Sequence, residues 1–176
     1  MEDNEKLWLR EVSINDDYEG LRFLQELVNE EGIMVAPAPK DIDENSYGDW
    51  LQTKVDVANG VNMPEGFIPC TTYWVMLDNK IIGLSNIKHY LNDHLRKKGG
   101  HLGLSIAKDY RRKGYGLAAT KLLIEKARDE FGIDDILLTN EPDNIPSRRM
   151  CEKLGAELVD IDEHCHYWIR SNNKKL

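Results

Sequence analysis

The sequence predicts a mixed α/β fold, a sheet with helices on its faces, and three observations point to it. Thr71 to Leu77 and Lys80 to Ile87 are two runs of β-formers parted only by Asp78-Asn79, which reads as a hairpin. Apolar residues recur at helical spacing on both sides of that hairpin, at Leu21, Leu24 and Leu27 and again from Leu117 to Phe131. A second hairpin closes the chain, Glu157 to Ile161 against Cys165 to Ile169 around Asp162-Glu163-His164.

In order along the chain, Leu7 to Val12 alternates in character and forms a first strand. Asn15-Asp16-Asp17 starts a helix over Tyr18 to Asn29, and Pro37-Ala38-Pro39 breaks the chain. A second helix runs from a Ser46 N-cap to Asn59-Gly60, and Gly60 to Pro69 is irregular. After the hairpin, His89 to Lys98 is charged and predicted as a loop, and Gly99-Gly100 leads into a strand over His101 to Ala107. The helix from Leu117 to Phe131 stops at Gly132. Asp135 to Thr139 is a short strand, and Pro146 opens a helix through Leu154 that Gly155 ends.

The chain of 176 residues suits one domain over 1–176 with one core. Hydrophobic residues make up 41% and charged residues 31%, a balance suited to a soluble protein, and no apolar run is long enough to cross a bilayer. Met1 to Lys6 is acidic and polar, unlike a secretory leader. Cys70, Cys151 and Cys165 are too few for a disulfide framework and lack the paired spacing of a zinc site, so a reducing cytoplasm is expected. A net charge of −8 argues against non-specific nucleic-acid binding and would mildly attract a cationic amine. Against that background Lys108, Arg111, Arg112 and Lys113 form a local basic cluster.

Arg111-x-x-Gly114-x-Gly116 joins a predicted strand to a predicted helix. A helix start leaves backbone N–H groups without intrahelical partners, and its dipole adds partial positive charge. Glycines there admit a pyrophosphate, and basic side chains add charge-assisted contacts. A Walker A loop is excluded, because Leu117-Ala118 stand where Lys and Ser or Thr belong. Gly114-x-Gly116-x-x-Ala119, with Asp134 downstream, is similar to a dinucleotide fingerprint, but Asp109 to Lys113 separates these glycines from the strand. A basic turn with a glycine helix start and no ligand is the plain alternative.

The strand, the Arg-x-x-Gly-x-Gly loop and the helix resemble the acyl-CoA-binding motif of the GNAT superfamily of N-acetyltransferases. Asn144-x-x-Ser147 followed by Glu152-Lys153-Leu154-Gly155 is similar to a second motif of that family at matching spacing. The resemblance covers nearly all of the chain, most strongly Thr71 to Ile169. Gly99-Gly100-His101 and Tyr167-Trp168-Ile169 look like a bacterial branch of predicted acetyltransferases.

The resemblance implies a mostly antiparallel central sheet whose middle strands splay apart, helices on both faces, and acetyl-CoA as acyl donor without a metal. Backbone groups of Leu104, Ser105 and Ile106 would pair with the pantetheine arm, and a strand N–H near Leu104 or Ser105 would stabilise the oxyanion. The loop Arg111, Arg112, Lys113, Gly114, Tyr115, Gly116 and Leu117 would hold the pyrophosphate, with Asn144 and Ser147 facing the cofactor. Asn144 as a simple turn or cap residue is the competing reading.

Acetyl transfer to an amine needs a base, since a lysine-like ammonium has a pKa of ~10. The family's strand glutamate falls at His101, whose imidazole could accept a proton near ~6.5 or could simply be buried and structural. His89 is a second candidate. The family's tyrosine acid falls at Cys151, a departure from the pattern. Cys151 as proton donor, Tyr110 or Tyr115 in its place, a thiolate leaving unaided, an acyl-enzyme on Cys151, and Cys151 as packing all stay open. His164 and His166 share a strand face but suggest no metal ligand set and read as a solvent-facing hairpin.

The expected activity is acetyl transfer to a small-molecule or peptide primary amine, with no nucleic-acid or membrane partner. The resemblance leaves a homodimer open, and the acceptor region spans Asn29 to Asn59 with residues around His89 and Asp162. The alternative is a non-catalytic acyl-CoA-binding or sensing domain on the same scaffold.

Overall fold

The computed structural model describes residues 5–30 and 38–171. Pro37, and with it much of the expected break and acceptor loop, lies outside the described residues. The elements are β1 (Leu7–Glu11), α1 (Tyr18–Val28), α2 (Glu44–Ala58), β2 (Cys70–Leu77), β3 (Lys80–Lys88) and α3 (Asp93–Lys97). They continue with β4 (Leu102–Ile106), α4 (Tyr115–Phe131), β5 (Ile136–Asn140), α5 (Ile145–Lys153), β6 (Glu157–Ile161) and β7 (Cys165–Ile169).

Three boundaries differ from the sequence expectation, each for a local reason. Asp43, not Ser46, caps α2: its Oδ1 accepts the Ser46 N–H at 2.9 Å while Ser46 Oγ accepts the Asp43 N–H at 3.0 Å, a capping box. The charged segment expected as a loop contains α3, started by Asn92, whose Oδ1 accepts the Leu95 N–H at 2.9 Å. α4 begins at Tyr115 because Gly114, at φ +90°, takes the left-handed conformation that turns the chain into the helix.

The strands form two antiparallel sheets, in the orders β1-β2-β3-β4 and β5-β7-β6. On one face of the first sheet, Trp74 is wholly buried against Phe23 and Trp50, with ring centroids 6.1 Å and 5.8 Å away. Its Nε1 donates to Asp16 Oδ2 at 2.7 Å, so α1 and α2 are pinned by polar and apolar contacts together. On the other face, Leu123, Ile124 and Ala127 of α4 lie in one cluster with Ile136, Tyr167 and Ile169 of the second sheet. Each fully buried Leu or Ile there contributes about 1.5–3 kcal/mol relative to exposure.

β4 and β5 are consecutive across α4 but do not pair as strands. They meet where β4 begins: the His101 N–H donates to the Leu137 carbonyl at 2.8 Å. Gly100, at φ +57°, makes this approach possible, since a Cβ there would stand 2.4 Å from the Leu137 oxygen. Beyond that clasp the two strands diverge into different sheets, which is the expected splay.

The closing hairpin forms as predicted, but its solvent-facing character does not hold. β6 is exposed along its whole length, whereas β7 is the middle strand of its sheet and buries Cys165, His166, Tyr167 and Ile169.

Candidate active site

Strand alternation decides which backbone groups of β4 are open. The Lys88 N–H donates to the His101 carbonyl, and the Ala107 N–H donates to the Ile82 carbonyl. In an antiparallel ladder the bonded residues alternate, so Gly103 and Ser105 also turn their backbone groups to β3, opposite Asn86 and Leu84. Leu102, Leu104 and Ile106 therefore face the splay. Ser105, expected to pair with a pantetheine arm, is thus turned the wrong way. The Ile106 carbonyl already accepts the Arg111 Nε–H at 2.7 Å. Leu102 and Leu104 are left with both backbone groups on the open edge.

The edge runs into the glycine loop. Lys108–Tyr110 forms one 3₁₀ turn, Arg112 sits at φ +60°, and Gly114 opens α4 without a side-chain cap. The first backbone bond into the helix runs from the Ala118 N–H to the Gly114 carbonyl at 3.1 Å, so the N–H groups of Gly116 and Leu117 belong to the end that seeks an acceptor. The basic side chains divide. Arg111 is tied to Ile106 and ion-paired with Glu30, so it braces the loop. Arg112 and Lys113 stay exposed, with Lys113 Nζ 5.7 Å from the Tyr110 ring centre. The Tyr115 side chain points inward, against Val75, Ile82 and Ala119, and its hydroxyl donates to Glu5 at 2.6 Å. Only its backbone can belong to the binding loop.

His101 is 7% exposed, and its Nδ1 accepts the Leu137 N–H at 2.9 Å. The neutral ring then carries its proton on Nε2 and has no lone pair left for a substrate ammonium. Burial, with help from Lys88 and Arg96, pushes its pKa down to about 4. The base expected at His101 is replaced by a structural histidine: two hydrogen bonds to Leu137, one from its main chain and one to its ring, clasp β4 to β5 where the splay begins.

The β5–α5 junction is bonded inward. Asn144 accepts the Ser147 N–H at 3.2 Å and caps α5, and its side chain is exposed. Ser147 donates its hydroxyl to Asn140, and Asn140 Nδ2 donates to Cys151 Sγ at 3.2 Å. Cys151 is 1% exposed in the cluster of Leu154, Cys165 and Tyr167, and burial pushes its thiol up to about 11. A thiol so placed is a poor proton donor to a CoA thiolate, whose pKa is ~8.5 on the ordinary thiol scale. Packing is the role the structure gives Cys151.

The remaining candidates lie elsewhere. The His89 ring lies 4.3 Å from the Phe131 ring at a 31° tilt and bonds Thr71 Oγ1 at 2.8 Å, behind the sheet from Asn86. The Tyr110 ring lies against the ammonium groups of Lys80 and Lys113. His164 pairs with Glu141. On the α1/α2 face of the sheet the structure adds residues that sequence reasoning missed. Asn86, opposite Gly103, buries an Oδ1 without a hydrogen-bond partner among the described residues, as Trp50 does its Nε1. Lys54 and Lys88 are held below the ordinary lysine range by burial, both near Cys70. A polar residue inside the β-run Ile81 to Ile87 was the one available signal for Asn86.

Residues 6–157 match a family model described as an acetyltransferase (GNAT) domain. No curated protein sequence matches the chain significantly. Among solved structures, RimJ of Mycobacterium smegmatis in complex with CoA-disulfide is 15% identical with a TM-score of 0.70, covering 97% of this chain and 84% of that one. The acetyltransferase of GNAT family from Streptococcus pneumoniae is 19% identical with a TM-score of 0.60, covering 93% of this chain and 99% of that one. A spermidine N-acetyltransferase, the SpeG chimera from Vibrio cholerae and hSSAT, is 17% identical with a TM-score of 0.62, covering 94% and 96% respectively. At these identities the structural likeness is one of fold.

Proposed function

The chain belongs to the GNAT acetyltransferase family, and from that premise we propose that it transfers an acetyl group from acetyl-CoA to a primary amine by direct attack on the thioester. The observation that carries the proposal is the continuous open edge from Leu104 to the uncapped start of α4. These residues fit the donor: an amide-rich arm can complete the β4 edge, and a pyrophosphate suits Gly114, Gly116 and Leu117 with Arg112 and Lys113 beside them. Acetyl-CoA supplies the activated acetyl group. The Leu104 N–H then serves as the donor for carbonyl charge that develops during transfer.

Neither His101 nor Cys151 handles the proton in this reading. The amine enters uncharged or loses its proton to water, and the thiolate leaves unaided. The acceptor in this reading is a small-molecule or peptide primary amine. The proposal takes residues 1–176 as one domain acting in the cytoplasm. The three cysteines are free, which suits a reducing compartment. Among the described residues no helix is long and apolar enough to cross a membrane.

A second reading, a non-catalytic acyl-CoA sensor, draws on the same loss of His101 and Cys151 as proton carriers. A steady-state assay separates the two. CoA release with acetyl-CoA is followed over a panel of amino acids, polyamines, peptides and aminoglycosides. Turnover with at least one of these amines is expected; saturable acetyl-CoA binding with no transfer to any acceptor establishes the sensor instead.

A further inference from the structure

β6 leaves regular pairing after Leu158. Glu157 and Leu158 stand opposite Trp168 and Tyr167, the register then shifts, and Asp160 rather than Val159 stands opposite His166. Directly opposed residues of an antiparallel pair share one face, with Cβ atoms about 5 Å apart. The bulge therefore brings a carboxylate to the face where regular register would put Val159, the re-aiming such bulges perform. Asp162 curls back over the same place: its Oδ1 accepts the His164 N–H at 2.8 Å and lies 4.0 Å from His166 Nδ1. One donor atom from each of Asp160, Asp162 and His166 falls within 4.8 Å of the others.

His166 is what distinguishes this group from exposed acidic residues. It is 8% exposed, and its Nε2 lies 2.9 Å from the Lys97 carbonyl oxygen. A carbonyl only accepts, so Nε2 carries a proton and the neutral ring has its lone pair on Nδ1. That Nδ1 is buried with no hydrogen-bond partner among the described residues, and it faces Asp162. A backbone carbonyl fixing one ring nitrogen so that the other presents a lone pair is how metal-bound histidines are oriented. The three side chains line an open pocket of about 440 Å³, shared with Asp93, Arg96 and Trp168.

We propose that Asp160, Asp162 and His166 form a binding site for a divalent first-row transition metal, Zn²⁺ foremost. An imidazole with two carboxylates, and water in the remaining position, suits Zn²⁺ better than Ca²⁺, which takes six or more oxygens. Donors on one such ion stand about 3–3.5 Å apart at bond lengths near ~2.1 Å. The two exposed carboxylates close that gap by side-chain rotation, while the buried imidazole is already aimed. Arg96 and Lys97 also line this pocket, and their charge opposes a cation and weakens the site.

Isothermal titration of the full chain with ZnCl₂ in chelator-free buffer, with CaCl₂ in parallel, tests the site. One Zn²⁺ per chain is expected, with Ca²⁺ at least ~10-fold weaker. Asp160→Asn and Asp162→Asn each should weaken Zn²⁺ at least ~10-fold, and His166→Gln should abolish it. Both aspartates are exposed, so these variants keep the fold and remain decisive if His166→Gln does not. Three free cysteines are rival zinc ligands. Zn²⁺ binding unchanged in both aspartate variants, no saturable Zn²⁺ binding, or Ca²⁺ binding of equal strength overturns the proposal.

Discussion

On the β4 side of the splay, Leu104 keeps both backbone groups on an open edge, and α4 begins at Gly114 with no side chain to satisfy its first N–H groups. On the β5 side, Asn140, Ser147 and Cys151 are bonded to one another, and the Asn144 side chain closes the first turn of α5. Both sides carry a motif that looks ligand-binding in the sequence. The difference lies in what each motif leaves unbonded: the first offers donors to a ligand, while the second uses them to hold a strand to a helix. Binding capacity is thus a property of leftover hydrogen-bonding groups, and the two sides call for opposite tests.

Gly114 is where the comparison is most exposed. Gly114→Val combines a strained left-handed backbone, costing about 1–2 kcal/mol, with a side chain at the pyrophosphate approach. CoA affinity should fall at least ~100-fold, about 2.8 kcal/mol at 1.4 kcal/mol per tenfold. Gly114→Asn tolerates the left-handed conformation and meets nothing within 4 Å at its Cβ. It should melt like the parent yet bind CoA at least ~10-fold more weakly by calorimetry. Normal CoA affinity in Gly114→Asn would remove the loop from the site.

His101 tests the clasp between the two sides. Its replacement by Ala leaves the Leu137 N–H buried without its ring acceptor, a cost of about 1–3 kcal/mol in chemical denaturation. The pH dependence carries a sign. With a folded pKa of about 4 against 6.5 unfolded, the unfolded chain binds the proton first. Titration of His101 therefore has no effect on stability above pH 6.5 and destabilises progressively as pH falls from 6.5 to 4, by up to about 3 kcal/mol. His101→Ala should flatten that part of the stability curve. Turnover of the variant should keep the parent's pH profile above pH 6.5; a selective loss at low pH would restore His101 as a base.

Much of this architecture was legible because it rests on local signals. The two hairpins, the α4 helix and the glycine helix start came from alternation, apolar spacing and Gly114 with Gly132, and the structure has them at those places. What was not legible depends on pairs distant in sequence. Ser105 faces β3 because of a register fixed 21 residues away at Leu84. His101 is structural because Leu137 arrives beside it, and His166 is buried because β7 lies between β5 and β6. Asp43 took the α2 cap from Ser46 since both can cap, and the box uses both. The residue types were readable; their hydrogen-bond partners were not.

The exposed charges of the loop should matter less than its backbone. Arg112→Ala with Lys113→Ala is expected to raise the KM for acetyl-CoA about 3–5-fold at low salt, an effect that fades near ~1 M salt, where screening acts over about 3 Å. Arg111→Ala should act differently. It frees the Ile106 carbonyl and Glu30 rather than removing a phosphate contact, so its effect should persist at high salt. Equal salt dependence for all three side chains would mean that Arg111 faces the ligand after all.

Cys151 should give the smallest effect on activity, and for that reason it tests the comparison most directly. A buried thiol in contact with Asn140 contributes through packing, so Cys151→Ala should cost about 1 kcal/mol of stability. Turnover at saturating acetyl-CoA should stay within about twofold of the parent, because a thiol raised to about 11 gives little drive for protonating a thiolate. Cys151→Ser keeps the Asn140 partner with an oxygen and should show the same kinetics. A tenfold loss of turnover in both variants, with melting unchanged, would show the β5 side delivering a proton into the splay. The contrast between an open β4 edge and an inward-bonded β5 junction would then fail at Cys151, where the family resemblance implies a tyrosine.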